Sequence, residues 1–222
     1  MSADRKTKIL VPVYNGADYI RPFIKQLSQI QKESVIFIND GSTDCTQEYL
    51  EQENVQVVSH HINFGEGHAI MSGLKQAISE DCDHIITIDI DLQHPIEKLG
   101  SFYQQTKKGI ILGFRNDRRN MPVHRQISNF LTSLLISIRT NRLIKDSQCG
   151  YRNYPLKLFD ELKLKENGFQ FESEILIKAA LLGYSINHCN IPTIYNKTNS
   201  SKINPIVDTA KFILLWFRSF FW

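Results

Sequence analysis

No stretch of this 222-residue chain is apolar for long enough to cross a bilayer. None follows the charged start, Met1 to Lys6, at the length of a secretory signal, so no export is expected. Cysteine is scarce: Cys45, Cys82, Cys149 and Cys189 lie far apart, with no CxxC pair and no dense framework, which suits reduced thiols in a cytosolic compartment. An excess of charge of one sign is nearly lacking too. Lys+Arg 26 against Asp+Glu 23 leaves +3, too mild for bulk nucleic-acid binding, so an anionic partner must be met locally. His60, His61, His68, His84, His94 and His124 make no HxxxH pair and read as surface or capping residues. There is no GxSxG elbow and no cysteine beside a clear base, which gives nucleophilic hydrolysis little support. What remains, 42% hydrophobic and 22% charged, is an ordinary globular composition of one-domain length.

The first half alternates strand-like and helix-like pieces. Lys8 to Tyr14, Val35 to Ile38, Val55 to Ser59, His84 to Asp89 and Gly109 to Gly113 are the strand runs. Between them, helices are expected over Ala17 to Ile30, from the turn Asn39–Asp44 through Glu53, over Glu66 to Ile78, and near Pro95. Continuous apolar strands separated by helices predict an α/β fold with a mostly parallel central sheet covered on both faces. Ligands of such sheets bind beyond the carboxyl ends of the strands. Tyr14, Asn15, Asn39, Asp40, the segment His60 to Gly67, Asp89, Asp91 and Arg115 should therefore converge on one rim.

Asp89-Ile90-Asp91-Leu92-Gln93 is the strongest local signal. Carboxylates at i and i+2 of a regular strand point to opposite faces, but where the chain turns both can approach one hard cation. Two acids and the neutral oxygen of Gln93 are too few for a closed cage. They suit Mg²⁺ or Mn²⁺ completed by phosphate oxygens and water; the plainer alternative is an exposed acidic loop. Asp40-Gly41-Ser42 reads as a turn with a helix cap at Ser42, Thr43 or Asp44, which leaves Asp40 able to meet a nucleotide base. Asn63-Phe64-Gly65-Glu66-Gly67 follows the third strand and lacks a third glycine, so it is not a dinucleotide fingerprint.

In this order, the motifs resemble those of family 2 glycosyltransferases of the GT-A fold, in the branch of dolichyl-phosphate mannosyltransferases and bacterial polyprenyl-phosphate glycosyltransferases. The matching pieces are Val11 to Asn15, Asn39 to Asp44, Asn63 to Gly67 with Ala69 and Gly73, Asp89 to Pro95, Gly113 to Arg115, Asp146 to Arg152, Gly168 to Glu174, and Ser201-Lys202. The resemblance implies that Pro12, Tyr14, Ile38 and Asp40 line the base and ribose, Gly16 belonging to the same binding set. It implies that Asp89, Asp91 and Gln93 hold the metal with Ile90 contributing backbone, and that Arg115 and Lys202 contact phosphate. Asp89, Asp91 and Arg115 are then the catalytic set. This chain departs from the family at Gly16 and Asn39, where acids are usual, and at Asn196, where an arginine is usual and Lys197 stands adjacent.

The implied reaction is metal-dependent, inverting transfer of a sugar from a GDP- or UDP-sugar to a polyprenyl phosphate. An alternative keeps the donor but takes a saccharide or protein hydroxyl as acceptor, which needs a base such as Asp146 or Glu172. Another is a non-catalytic membrane-bound module. The roles of Asp146, Glu172 and Glu174 stay open. A lipid phosphate is already anionic and needs cations instead. Arg115, Arg118, Arg119, Arg125, Arg139, Arg142 and Lys145 supply them, or form a solvated face. Ile127, Phe130, Leu131, Leu134, Leu135 and Ile138 make a helical apolar stripe, either core or membrane-facing. Residues 1–204 are expected as the GT-A domain and 205–222 as an amphipathic helix. Its Ile206, Ala210, Ile213, Leu214, Phe217, Phe220 and Phe221 gather on one side; Asp208, Lys211 and Arg218 lie opposite, while Leu215 and Trp222 stray. It either lies on a membrane surface, making the protein peripheral to the cytoplasmic membrane, or docks on the domain.

Overall fold

In the computed structural model, which describes residues 7–103, 109–117, 121–166, 168, 170–194 and 205–222, the apolar runs join one seven-stranded sheet. The elements in chain order are β1 (Thr7–Val13), α1 (Ala17–Ile24), α2 (Gln29–Ser34), β2 (Val35–Asp40), α3 (Thr46–Gln52), β3 (Gln56–His60), α4 (Glu66–Ser79) and β4 (His84–Thr87). They continue with α5 (Leu99–Phe102), β5 (Gly109–Arg115), α6 (Val123–Thr140), β6 (Arg152–Pro155), α7 (Lys157–Glu161), α8 (Gln170–Leu181), β7 (Ser185–Ile191) and α9 (Pro205–Arg218). Single 3₁₀ turns precede α5 and follow α9.

The strand order is β3-β2-β1-β4-β6-β5-β7. Every pairing is parallel except those of β6, which runs antiparallel to β4 and β5. The sheet is thus mostly parallel, as the pattern predicted. The sequence runs did not reveal β6 and β7, whose residues are too polar to read as buried strands.

Alternation along the strands divides the core between the two faces. Leu10, Ile36, Ile38, Ile85, Ile110 and Leu112 meet α4, α8 and α9 through Leu74, Ile175 and Phe212. Ile9, Val11, Phe37, Ile86 and Ile111 meet α1, α3 and α5 through Phe23, Leu50 and Phe102. Each fully buried large aliphatic or aromatic side chain contributes about 1.5–3 kcal/mol. The helix expected from Ala17 to Ile30 is two helices. Ser28 takes an extended backbone, its hydroxyl accepts from the Gln31 N–H, and the Gln31 side chain accepts in return from the Ser28 N–H. That reciprocal cap starts a new helix where hydrophobic periodicity alone ran on.

Candidate active site

β1 pairs with β2 on one side and β4 on the other, so the connections reverse between β1 and β4. A crevice opens beyond the carboxyl ends of strands at such a point. β1 delivers Tyr14, Asn15 and Gly16 there, and β4 delivers Asp89 and Asp91. The antiparallel β6 begins at the same rim, with Arg152 opposite Thr87. The segment Asp146 to Tyr151 is therefore brought to the site by a strand's entry rather than its exit. The Thr87 hydroxyl donates to the Gly150 carbonyl at 2.8 Å and ties this segment to β4.

The acidic turn forms because Leu92 adopts φ 62° and Asp91 Oδ1 accepts from the Gln93 N–H at 2.9 Å. Asp89, Ile90, Asp91 and Gln93 line a cavity of about 800 Å³ together with Pro12, Tyr14, Gly16, Asp40 and Arg115. One described residue of the expected set is not in this lining. Ile38 is fully buried in the core with Leu10 and Leu74, because strand alternation turns it away from the rim. Lys202 lies outside the described residues, as do Arg118, Arg119, Asn196 and Lys197.

Burial raises the pKa of both Asp89 and Asp91, and the charge of Asp89 raises Asp91 further, while Arg115 and Arg152 pull Asp89 back. Two more carboxyls share the cavity. Glu66, at the start of α4, is raised well above the usual range by burial and then by Glu172 and Asp89. Glu172 is pushed up to about 7, mainly by burial, against the charge of Arg152, whose Nη2 donates to it at 2.7 Å. Four carboxyls held above their ordinary values are a site short of positive charge. Asp89, Asp91 and Gln93 offer the hard oxygens that Mg²⁺ or Mn²⁺ prefers. Among the described residues no group of three or more His, Cys, Asp or Glu could hold a metal by itself, consistent with an open site whose remaining oxygens come from substrate and water.

Several residues have roles different from those the sequence suggested. Asp40 Oδ1 accepts from His60 Nδ1 at 2.7 Å and the Phe64 N–H at 3.0 Å, and Oδ2 accepts from the Gly65 N–H at 2.8 Å. It holds the glycine loop while still lining the cavity beside Pro12 and Tyr14. Asn39 lies in β2, and its side chain fixes the turn that follows. Its Oδ1 accepts from the Ser42 N–H and its amide donates to Gln47, a donation an acid could not make. A Cβ on Gly16 would sit 2.8 Å from Val13 Cγ1, so a larger residue there would displace the end of β1.

His60, His84 and His94 are not surface residues. His60 is paired with Asp40, His84 with Asn153, and His94 is 5% exposed beside Asp89. Burial lowers the His94 pKa to about 4 despite the nearby Asp91 charge. Cys149 is buried, which pushes its thiol far up. All four cysteines are free.

Arg115 is forked onto Asp146, with Nε and Nη2 at 2.8 and 3.0 Å from the carboxylate, and Asn129 Nδ2 adds a third side-chain donor at 2.6 Å. Burial opposes the charge on Asp146, but these donors outweigh it and hold the carboxyl below its usual value. Asp146, 0% exposed, is thus the support of Arg115 and not a base. Glu174 accepts from the Lys165 and Glu166 N–H groups and from Lys178, which makes it structural. Of the acids left open, only Glu172 lines the cavity. Within the basic group, Arg115 and Arg125 line it, whereas Arg139 binds Ser219 and Lys145 sits over Phe114.

Ser128 and Thr132 of α6 and Asp208, Thr209 and Phe212 of α9 also line the cavity. The two helices are packed together, with Trp216 Nε1 donating to the Leu135 carbonyl and Arg139 over the Phe220 ring. α9 and the 3₁₀ turn after it dock through Phe212, Leu215 and Ser219, the side toward which Leu215 was expected to stray. Its richer apolar side, with Ile213, Leu214, Phe217, Phe220 and Phe221, is exposed, and so are Ile127, Phe130, Leu131, Leu134 and Ile138 of α6. Asp208, assigned to the polar face, belongs to the cavity. No helix among the described residues is long and apolar enough to cross a membrane.

Known proteins share this architecture. An uncharacterised protein of Methanocaldococcus jannaschii is 30% identical over 223 residues, spanning 92% of this chain and 96% of that one. A UDP-N-acetylglucosamine–dolichyl-phosphate N-acetylglucosaminyltransferase of Methanococcus voltae is 26% identical, with 90% of each chain covered. An undecaprenyl-phosphate 4-deoxy-4-formamido-L-arabinose transferase of Proteus mirabilis is 29% identical over 71% of this chain, which spans only 51% of that protein. The crystal structure of glucosyl-3-phosphoglycerate synthase from Mycobacterium tuberculosis with UDP superposes with a TM-score of 0.73 at 19% identity, covering 98% of this chain and 80% of the other. The same enzyme has been solved with Mn²⁺ and UDP, at a TM-score of 0.70. Residues 8–164 match the family described as Glycosyl transferase family 2, so this chain belongs to that family and is a glycosyltransferase.

Proposed function

We propose that the protein transfers a sugar from a nucleotide diphosphate to a polyprenyl phosphate at a membrane surface, with Mg²⁺ or Mn²⁺ bound. The observation that carries this reading is one continuous cavity. Its lining includes the Asp89–Asp91 turn together with Arg125, Ser128 and Thr132, and it also touches α6 and α9, two helices that expose apolar side chains. The base and ribose site is Pro12, Tyr14 and Gly16. Asp40 serves it by fixing the loop Asn63 to Gly67.

Asp89, Asp91 and Gln93 would hold the cation, and when bound it would supply Lewis-acid neutralisation of the leaving diphosphate. Arg115, kept rigid by Asp146, faces developing phosphate charge without having to reorganise. An acceptor phosphate is already anionic. Arg125 and the hydroxyls of Ser128 and Thr132 would place it, and no base is required. The exposed side chains of α6 and α9 would lie among lipid headgroups and keep a polyprenyl chain beside the cavity mouth. The polyprenyl-phosphate names of two relatives support the acceptor class.

Incubation with radiolabelled UDP- or GDP-sugars, polyprenyl phosphate and Mn²⁺ should give an organic-extractable product. Asp91→Asn should lower that yield at least about 100-fold, and EDTA should abolish it. No product with any common donor would overturn the reading. One observation favours a hydroxyl acceptor: Glu172, in the cavity and shifted to about 7, is poised as a general base. In that case the label stays in the aqueous phase and Glu172→Gln lowers kcat by about 10²–10⁴. Under the lipid-phosphate reading, the same change leaves kcat within about tenfold.

A further inference from the structure

Asp89 lies between two features that its role in a DxD turn does not require. On one side it rests on bare backbone: a Cβ on Gly150 would sit 2.5 Å from Oδ1 and 2.7 Å from Oδ2. On the other stands His94, the one described residue within ion-pair distance of this carboxylate, with Nδ1 3.4 Å from Oδ2. That nitrogen is buried and makes no hydrogen bond in this structure, an uncommon condition for a ring nitrogen beside an acid. The other ring nitrogen, Nε2, lies 3.7 Å from the Sγ of Cys149, itself fully buried. The ring is wedged edge-on against Tyr151, which stacks on Phe102. Its plane is thus set by packing.

We infer that Cys149 and His94 position Asp89: the thiol donates to Nε2, the ring proton is thereby placed on Nδ1, and this N–H closes on Oδ2 when the carboxylate turns to hold a cation. The hydrogen bond that one ring nitrogen makes decides which nitrogen carries the proton. Groups that orient a metal-binding side chain in this way change metal affinity by about 10–100-fold when removed. Gly150 completes the arrangement by leaving Asp89 only the side of His94 and the cavity to move into. His94 reaches the cavity wall with 5% of its surface exposed, and the role inferred for it is exerted through Asp89, which makes it a positioning residue. The inference rests on the proposed metal role of Asp89.

The test has two parts. In the first, ¹⁵N NMR of histidine-labelled, metal-free protein reads the tautomer directly. The His94 signal is expected as Nδ1–H, and an Nε2–H tautomer overturns the inference without any metal measurement. In the second, Mn²⁺ affinity is measured by EPR, with Mn²⁺ alone and with UDP or GDP added. His94→Asn, whose amide can stand in for Nδ1–H, should bind within about threefold of the unmodified protein. His94→Gln and His94→Phe should bind about 10–100-fold more weakly. Cys149→Ser retains a donor and should weaken binding less than Cys149→Val. Equal loss in His94→Asn and His94→Gln would mean a packing role only and would overturn the assignment. So would no loss in any His94 variant while Asp89→Asn loses binding. If Asp89→Asn binds Mn²⁺ as well as the unmodified protein, the metal reading itself fails and takes the inference with it.

Discussion

Arg115 and Asp146 stand 31 positions apart, and both belong to motifs visible in the chain. Their partnership is not visible there. Sequence places an arginine after β5 and an acid before a Cys-Gly pair; only the sheet shows that β6 enters at the same rim where β5 leaves. The pairing changes the meaning of both residues. A guanidinium clamped at two nitrogens presents a fixed edge to the cavity, and a carboxylate with four donors is poorly suited to act as a base. Asp146→Ala should lower stability by about 3–5 kcal/mol, since it leaves a largely buried guanidinium without its counter-charge. An unfolding free energy from urea denaturation within about 0.5 kcal/mol of the unmodified protein, the noise of a surface substitution, would contradict this. The same reasoning explains Asn39 and Gly16. Each departs from the family pattern, and each is accounted for by a neighbour, Gln47 or Val13, that sequence spacing does not identify.

At the scale of elements, α9 shows how a correct periodicity can leave the docking side undecided. Its apolar side was read correctly from helical spacing, but a helix with more than one apolar stripe can dock by either. The structure uses Phe212, Leu215 and Ser219, because Arg139 reaches Ser219 and the Trp216 indole reaches the Leu135 carbonyl. The stripe through Ile213 and Phe217 is left outside, Phe217 being 58% exposed against 1% for Leu215. Leu215→Ala should therefore destabilise by about 2–5 kcal/mol. The pair Ile213→Glu and Phe217→Glu should leave the thermal midpoint nearly unchanged and reduce co-sedimentation with anionic vesicles. Loss of folding in the surface pair, or unaltered sedimentation, would contradict a membrane-facing role. The break between α1 and α2 was legible in principle from Ser28 and Gln31, a capping signal that the apolar periodicity through Leu27 obscured.

Across the whole molecule, titratable groups fall into two sets with opposite consequences. Glu80, hydrogen-bonded to Lys8, Gln76 and Gln56, is held at about 2, and Asp146 is also lowered. Their stabilisation is present above the unfolded carboxyl value and is lost as pH falls toward their folded values. Glu172 at about 7, with Glu66, Asp89 and Asp91, is shifted the other way. A folded state that keeps a proton longer than the unfolded chain is favoured at low pH, and this contribution declines as pH rises through the folded value. Glu172, at about 7, places its share of this decline between about pH 5 and 8. In EDTA the thermal midpoint should fall across that range, with a shallower slope for Glu172→Gln. Mn²⁺ affinity should rise over the same interval, because the cation displaces protons. A flat midpoint together with pH-independent affinity would show that the four carboxyls do not act as one cluster.

The sequence by itself determined the class of the sheet, the strand ends that carry chemistry and the acidic turn at Asp89 to Gln93. Those properties follow from local apolar runs and from what a chain must do after a buried strand. Only the tertiary structure decided that Ile38 faces the core, that Asp40 holds the glycine loop, that Glu66 and Glu172 join the aspartates, and that His94 is buried against Asp89. Each of these depends on which distant segment a side chain meets, and the antiparallel entry of β6 sets several of those meetings at once. Contacts of that kind arise from the packing of elements, and no period of residues along the chain encodes them.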